Sequence, residues 1–403
     1  MNYKIGVLKE TKNPPDRRVA LTPHAAMYLR QMFPNLQIFI QSSENRAFKD
    51  SEYQSKGFIL TDDLSHCDIL LGIKEVAINT LIPDKTYIFF SHTAKKQKHN
   101  QKLLQECARL GITLKDHEYF TDKKNMRLVA FGKWAGIVGA YNALIAYGKR
   151  TGLFELKRAH QCFDVKELFA NAAAIKIPNL KFLITGGGRV AHGALETFSA
   201  AGIKEVTPEH FLLKEFLEPV VCRIDPWHYA RRKDGEPFDF NHFVKHPAEY
   251  ESTFKPYQQV TDVYVPCHFW DPASPKFITK EDYLDPAFRI KVIADVSCDL
   301  DGPIASTLRA STIAAPFYGY DPRTGQEGDS FSEKNITVTA IDNLPGELPR
   351  DASEDFSLAL ANNIFPAIAS GDPDGVIERA TILKKGKLTR KFSYLKDFLE
   401  GKE

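Results

Sequence analysis

Apolar and polar positions alternate in blocks along the first third of the chain. Residues 4–8, Leu36-Gln37-Ile38-Phe39-Ile40, Cys67-Asp68-Ile69-Leu70-Leu71-Gly72 and Thr86-Tyr87-Ile88-Phe89-Phe90 are short apolar runs of strand length, with a further possible strand at Ile112-Thr113-Leu114. Between them lie helical patterns. Thr22-Pro23 supplies an N-cap followed by proline at the first helical position, which predicts a helix through about Met32, and segments near 50–56 and 96–110 also read as helical. Strand and helix in alternation predict a parallel sheet in an α/β domain.

The pattern continues in the second half. Small residues at helical spacing from Ala130 to Lys149 predict a long helix packed closely on a neighbour, read as core packing, that leaves the first domain for the second. Val220-Val221-Cys222-Arg223-Ile224, Ile290-Lys291-Val292-Ile293-Ala294 and the run Asn335 to Ile341 read as strands, and Asp355 to Ala369 as helix. Residues 226–256, rich in charge, aromatics and proline, are expected to form an insertion or surface excursion rather than a sheet element. The basic tail 383–391 is expected to be a solvated face.

In parallel sheets, ligands sit beyond the carboxyl ends of the strands, so the polar residues just after each apolar run are the candidates for chemistry. These are Lys74-Glu75, Ser91-His92-Thr93 and Asp116-His117-Glu118. A lysine depressed by burial and a histidine titrating near neutrality can exchange protons during C–N bond chemistry, with Glu118 placed to tune either. Arg17, Arg18 and Arg127 are candidate carboxylate clamps, because guanidinium binds carboxylate through two parallel hydrogen bonds. Near mid-chain, Phe182-Leu183-Ile184-Thr185 runs into Gly186, Gly187 and Gly188 with Ala191 beyond, matching the G-x-G-x-x-G/A turn that lets a backbone approach a pyrophosphate. Glu209 and Asp225 compete as the acidic residue for the adenosine ribose; Asp225 closes the better strand and is preferred. An aspartate there predicts NAD, while Arg223, Arg231 and Arg232 nearby keep NADP open.

Size and composition narrow the class. At 403 residues two domains are expected, and 43% hydrophobic with 26% charged residues is the balance of a globular protein. A net charge of +2 without long blocks of either sign gives no sign of nucleic acid binding. The six cysteines form no Cys-x-x-Cys pair and, with no signal-like segment at Met1-Asn2-Tyr3 and no long apolar run, point to a cytoplasmic protein with reduced thiols and no membrane insertion. The histidines lie away from metal-ligand spacing, so no metal is expected, and the lack of a Gly-x-Ser-x-Gly elbow disfavours a hydrolase.

Several motifs carry a family resemblance. Ile5-Gly6-Val7-Leu8-Lys9-Glu10-Thr11-Lys12 with Arg17-Arg18-Val19-Ala20-Leu21-Thr22-Pro23 resembles the opening of the alanine dehydrogenase, transhydrogenase and saccharopine dehydrogenase superfamily. Gly72-Ile73-Lys74-Glu75, the run Phe90 to Gln97 and the run Ala340 to Glu354 resemble the lysine-forming saccharopine dehydrogenases and lysine–oxoglutarate reductase domains. The resemblance implies two Rossmann-like domains with parallel sheets and an interdomain cleft: residues 1–135 plus 345–403 as the substrate domain, and 136–344 as the dinucleotide-binding domain. It implies Lys74 as general base, His92 as general acid and Glu118 as their tuning neighbour. Arg18, Gln97 and Phe131 would face substrate, and Arg127 would lie on the nicotinamide side. Gly186, Gly187, Gly188, Asp225 and the loop Ala294, Asp295, Val296, Ser297 would hold the dinucleotide.

The activity so implied is the reversible joining of L-lysine and 2-oxoglutarate as saccharopine with NAD, or NADP, as cofactor. The partners are then an amino acid and a 2-oxo acid, with the oligomeric state open. An alanine dehydrogenase-like enzyme and a dinucleotide-binding protein without catalysis are the alternatives. Where fungal relatives place two arginines, this chain has Met126-Arg127, and its 203–219 and 226–256 segments are longer.

Overall fold

A computed structural model describes residues 3–402; Met1, Asn2 and Glu403, and with them the first two residues of the N-terminal reading, lie outside the described residues. The chain divides into two compact units, one made of the chain through Phe131 together with everything from Pro349 onward, the other of Gly132–Leu348.

The first unit begins with β1 (Lys4–Val7), α1 (Pro23–Met32), β2 (Gln37–Ile40), β3 (Ile59–Leu60), β4 (Ile69–Leu71), β5 (Thr86–Phe89), α2 (Gln101–Arg109) and β6 (Thr113–Asp116). The start of α1 follows from its sequence: Thr22 Oγ1 accepts from the Ala25 N–H at 3.2 Å, Pro23 occupies the first turn, and Ala25, Ala26 and Leu29 form the buried stripe. In the sheet, β3, β2, β1, β4, β5 and β6 lie side by side and parallel. The chain therefore builds outward from β1 to β2 and β3, then crosses back to β4, so the order reverses between β1 and β4. Both faces are covered. Ile69 and Leu71 of β4 join one core with Ile5, Val7, Ile40 and Leu29, while Leu70 joins the opposite core with Tyr87, Leu104 and Leu114. Burial on both faces is why these strands read as continuous apolar runs.

The second unit contains α3 (Gly132–Thr151), β7 (Lys181–Thr185), α4 (Arg189–Ala200), β8 (Lys204–Glu205), β9 (Val220–Ile224), β10 (Val263–Pro266), β11 (Val292–Ala294), β12 (Tyr318–Asp321), β13 (Gln326–Gly328) and β14 (Ile336–Thr339). The sheet order is β13-β12-β14-β11-β10-β7-β9-β8, with the reversal between β7 and β10. Strand β10, Val263-Tyr264-Val265-Pro266, has no counterpart among the expected strands, although it is fully buried next to β7. The small-residue helix α3 packs on α4 as its composition predicts: a Cβ on Gly136 would stand 1.8 Å from the Val190 carbonyl oxygen, and one on Gly193 2.0 Å from that of Lys133. The two backbones touch where a side chain would not fit.

After the second unit the chain returns with α5 (Pro349–Ala359), then β15 (Thr381–Lys384) and β16 (Lys387–Leu388). Helix α5 continues through a π-helical stretch, Leu360–Ile364, into Phe365–Ala369; Pro366 lacks an N–H for the α ladder, and the wider turn absorbs the loss. Two expectations are corrected here, and a third is made more specific. The tail 383–391 is not simply a solvated face, because β15 pairs antiparallel with β6 and buries Ile382 and Leu383; the lysines that follow hide so short a strand in the sequence. The 226–256 excursion does contain sheet, a hairpin of Ala230–Arg232 with Tyr250–Ser252, because Tyr229, Ala230, Tyr250 and Phe254 turn inward to the core. Finally, both sheets are mostly parallel but end in antiparallel edges, β15 and β16 in one and β12 and β13 in the other.

Candidate functional site

Four loops at the carboxyl ends of β1, β4, β5 and β6 gather the ionisable side chains of the first unit. Lys74 follows β4. Burial lowers its pKa, the nearby Arg18 and Lys12 charges push the same way, and Asp16 and Glu75 oppose them. Its neighbour Glu75 meets the ring of His92, Nδ1 to Oε1 at 2.6 Å, and receives Lys12 Nζ at 3.3 Å on its other oxygen. Burial alone would raise Glu75, but the His92 hydrogen bond and charge, together with Lys12, hold it at about 2. His92 sits at φ +51°, a left-handed conformation uncommon for a histidine, which fixes its placement after β5. Lys74 and His92 are thus brought onto adjacent loops, joined through Glu75.

Arg18 is buried and forms a fork on Asp16, Nε to Oδ1 at 3.0 Å and Nη2 to Oδ2 at 2.6 Å. Its guanidinium carbon lies 4.2 Å from the centre of the Phe131 ring, which stacks on Phe356 at 4.4 Å. Burial works against the Asp16 carboxylate, yet Arg18 holds it at about 2. Arg18 and Phe131 therefore stand together. Glu118 is placed differently from its expected role as neighbour of Lys74 or His92: its Oε1 takes Lys95 Nζ at 3.0 Å and Arg127 Nη2, while Glu75 is the carboxylate on His92. Gln97 is exposed and accepts from Asn100 Nδ2 at 3.3 Å.

Three buried or half-buried groups of this unit had no role in the sequence reading. Glu10, after β1, accepts the backbone N–H of Ile73 at 2.7 Å and of Lys74 at 2.9 Å, donors that would each cost about 1–3 kcal/mol if left buried and unpaired. Burial pushes Glu10 up to about 7 against those two bonds. His117, after β6, donates from Nε2 to the Gly72 carbonyl oxygen at 2.9 Å, and burial pushes it down to about 4, so the ring is neutral at pH 7. Asp116 takes Ser91 Oγ at 2.6 Å and the Ser91 N–H at 2.9 Å. Asp116 and His117 were picked out by their position after an apolar run but given no role; Glu10, just past the first run, would have been found by the same rule.

The second unit assembles a different kind of site at its own reversal. Gly186 turns at φ +111°, and a Cβ there would meet the Cys267 carbonyl oxygen at 2.6 Å; one on Gly187 would meet Asp225 Oδ1 at 2.6 Å. Gly188 precedes α4 with open space at its Cα and no side-chain cap, leaving the helix N-terminus to a ligand. Asp225 closes β9 and is paired with Arg223, whose Nη1 donates to Asp225 Oδ1 at 2.6 Å and to the Gly186 carbonyl oxygen at 3.3 Å. Glu209, the competing acid, is exposed on the short helix Pro208–Leu213.

The loop after β11 is tied to the same place. Val296 N–H donates to the Pro266 carbonyl oxygen at 3.1 Å and Ser297 Oγ to that of His268 at 2.9 Å, while Ala294 is buried at the strand end. Asp295 faces inward, accepts Thr307 Oγ1 at 2.6 Å and the Cys298 N–H at 3.0 Å, and is raised to about 6 by burial, so it braces this loop. His268 was not expected. Its Nδ1 lies 2.6 Å from Thr185 Oγ1, and its Nε2 is buried with no protein partner. A bare glycine turn, an uncapped helix start, an acid at the next strand and an orphaned ring nitrogen fit a dinucleotide at the β7–β10 reversal.

Comparison with known proteins finds similar chains along nearly the whole length. Residues 6–138 match the family described as alanine dehydrogenase/PNT, N-terminal domain. A solved L-alanine dehydrogenase shares the fold, with a TM-score of 0.66 at 16% identity over 98% of this chain and 99% of that one. The chain is 30% identical to the mitochondrial alpha-aminoadipic semialdehyde synthase of Bos taurus over 99% of its own length and 48% of that protein's. It is 29% identical to the saccharopine dehydrogenase [NAD(+), L-lysine-forming] of Schizosaccharomyces pombe over 88% of this chain and 90% of that protein. The chain spans less than half the length of the bovine and Arabidopsis thaliana synthases that it matches. Among the described residues, no helix is long and apolar enough to cross a membrane.

Proposed function

We propose that this chain is an NAD(P)-dependent dehydrogenase of the saccharopine type, which forms or cleaves the C–N bond between the side-chain amine of L-lysine and 2-oxoglutarate. The observation that carries the reading is the Lys74 turn with its Glu75–His92 pair beside the buried Arg18–Asp16 fork, all at strand carboxyl ends of one unit. Support comes from the relatives, which are named as saccharopine dehydrogenases and alpha-aminoadipic semialdehyde synthases.

In the direction of bond formation, the lysine substrate's amine must lose protons and the ketone oxygen of the oxo acid must leave as water. Lys74, lowered by burial, takes the amine proton as general base; His92, oriented by Glu75, gives a proton to the departing hydroxyl as general acid. Glu118, with Lys95 and Arg127, sets the charge at the edge of this site. Arg18, Gln97 and Phe131 receive substrate, Arg18 by guanidinium–carboxylate pairing. Gly186, Gly187, Gly188, Asp225 and the Ala294–Ser297 loop hold the dinucleotide, with Arg127 on its nicotinamide side. The dinucleotide supplies the hydride; the protein supplies binding, placement and proton transfers. Asp225 suits the ribose of NAD, and Arg223 neutralises that carboxylate and offers a guanidinium to a 2′-phosphate, so NADP is accepted as well.

The test is a matrix of amino acids and 2-oxo acids read by NADH and NADPH absorbance. Oxidation that requires both L-lysine and 2-oxoglutarate is the expected result. Turnover of pyruvate with ammonia alone would assign the chain to the alanine dehydrogenase-like alternative, and tight NADH binding without turnover of any pair would assign it to a binding role.

A further inference from the structure

The turn that carries Lys74 is pinned at every backbone polar group from Gly72 N to Lys74 N. Gly72 N–H donates to the Ile88 carbonyl oxygen at 3.0 Å, and its own carbonyl receives His117 Nε2 at 2.9 Å. The Ile73 carbonyl receives the Phe90 N–H at 2.9 Å. The remaining two donors, Ile73 N–H and Lys74 N–H, both go to one carboxylate, Glu10, which reaches them from the loop after β1. Two of these five anchors lie in the parallel ladder to β5; the other three come from side chains 63, 64 and 45 positions away in the sequence. Those three attachments therefore depend on two residues, Glu10 and His117.

A carboxylate is suited to this place. It offers two acceptors to two consecutive N–H groups, which turns the Ile73–Lys74 peptide toward β1 and sets the direction in which the Lys74 side chain leaves the loop. Aspartate would fall one methylene short, and glutamine would present an N–H to one of the donors. The site sits at the reversal between β1 and β4, where the two strands' following loops separate and a connection must be made by side chains. Asp16 and Arg18, whose charges act on Glu10, belong to the same cluster.

We propose that Glu10 is a positioning residue: by holding the N–H groups of Ile73 and Lys74, with His117 holding the Gly72 carbonyl, it fixes where the Lys74 amine stands. The inference rests on the saccharopine-type reading for its link to turnover, and on geometry alone for its link to Lys74.

The experiment compares wild type, Glu10→Gln and Glu10→Asp by two measurements. One is trace acetylation of Lys74 by acetic anhydride, quantified by mass spectrometry against exposed Lys102. The other is kcat and KM for the oxo acid. In Glu10→Gln, Lys74 labelling relative to Lys102 shifts by about threefold or more, and kcat falls by about 10- to 100-fold with KM changed by less than about threefold, the size expected for a misplaced rather than missing group. Glu10→Asp, which keeps a carboxyl group with two oxygens, recovers part of both. Wild-type labelling and kcat in Glu10→Gln overturn the proposal. If wild type turns over no substrate pair, the functional reading fails while the labelling comparison still decides the role of Glu10. If Glu10→Gln does not give a folded circular dichroism spectrum, Glu10→Asp decides: an intermediate labelling shift supports the proposal and unchanged labelling sinks it.

Discussion

The two units share a plan and put different things at the same place in it. Each reverses its strand order once, between β1 and β4 in the first and between β7 and β10 in the second, and each gathers its loops at the strand carboxyl ends. In the first, those strand ends carry His92 together with Glu10, Lys74, Glu75 and Asp116, the last four with protonation shifted by burial and by their neighbours. In the second they carry bare backbone at Gly186 to Gly188, with one paired acid, Asp225, at the rim. Under the proposed function, one reversal moves protons and the other lets a ligand approach the main chain. The fold alone does not distinguish them; the residues one to three positions past each strand do.

The comparison can be broken most directly at Lys74. Lys74→Met should lower turnover by about 10²- to 10⁴-fold, the usual worth of a general base, while the Kd for NADH measured by fluorescence stays within about twofold. Lost NADH affinity would show that Lys74 belongs to dinucleotide binding. The converse change is Gly187→Val, where the new Cβ would stand 2.6 Å from Asp225 Oδ1. NADH affinity should fall by about tenfold or more, as for loss of a charge-assisted hydrogen bond, and Lys74 acetylation should not move.

Arg223→Ala sharpens the description of the second site. Removing the guanidinium from Asp225 should weaken NADPH relative to NADH by about tenfold in titrations followed by nucleotide fluorescence. An unchanged ratio would remove Arg223 from any contact with a 2′-phosphate. The smallest effect concerns stability. Glu75, held at about 2 in the folded chain against an ordinary 4.5, stays ionised as the pH falls while an unfolded chain would take up a proton; its contribution is present above about pH 4.5 and is lost on the way down to about 2. Glu75→Gln should therefore reduce the loss of unfolding free energy between pH 5 and pH 3, read from urea titrations, by about 1 kcal/mol after allowance for partial exposure. An equal fall in both proteins would place the acid sensitivity elsewhere.

Much of this was legible in the residues. Strands β4, β5 and β9 are apolar on both faces and announced themselves, as did the cap of α1 at Thr22-Pro23 and the glycine turn after β7. Strand β10 was not legible, because Val263-Tyr264-Val265-Pro266 is short, ends in proline and follows a long irregular segment. Strand β15 was hidden by its shortness and by the lysines that follow Leu383. At the site, Lys74 and His92 could be named from their positions after strands, but the carboxylate expected beside them was Glu118, and the one on His92 is Glu75. Both follow strands; the choice depends on where the left-handed turn at His92 aims the ring.

By itself, the sequence determined the α/β class, the order of most strands along the chain, the glycine turn and which loops would hold ionisable groups, because each of these is written in local periodicity or in the residues next to a strand end. Tertiary structure decided the pairings: Glu75 with His92, Arg223 with Asp225, Glu118 with Lys95 and Arg127, and Glu10 with the peptides of Ile73 and Lys74. Hydrogen bonds and charge interactions of this kind act over a few ångströms, between groups that can lie tens of residues apart in sequence. Only the parallel packing of strands distant in sequence brings those groups within that range.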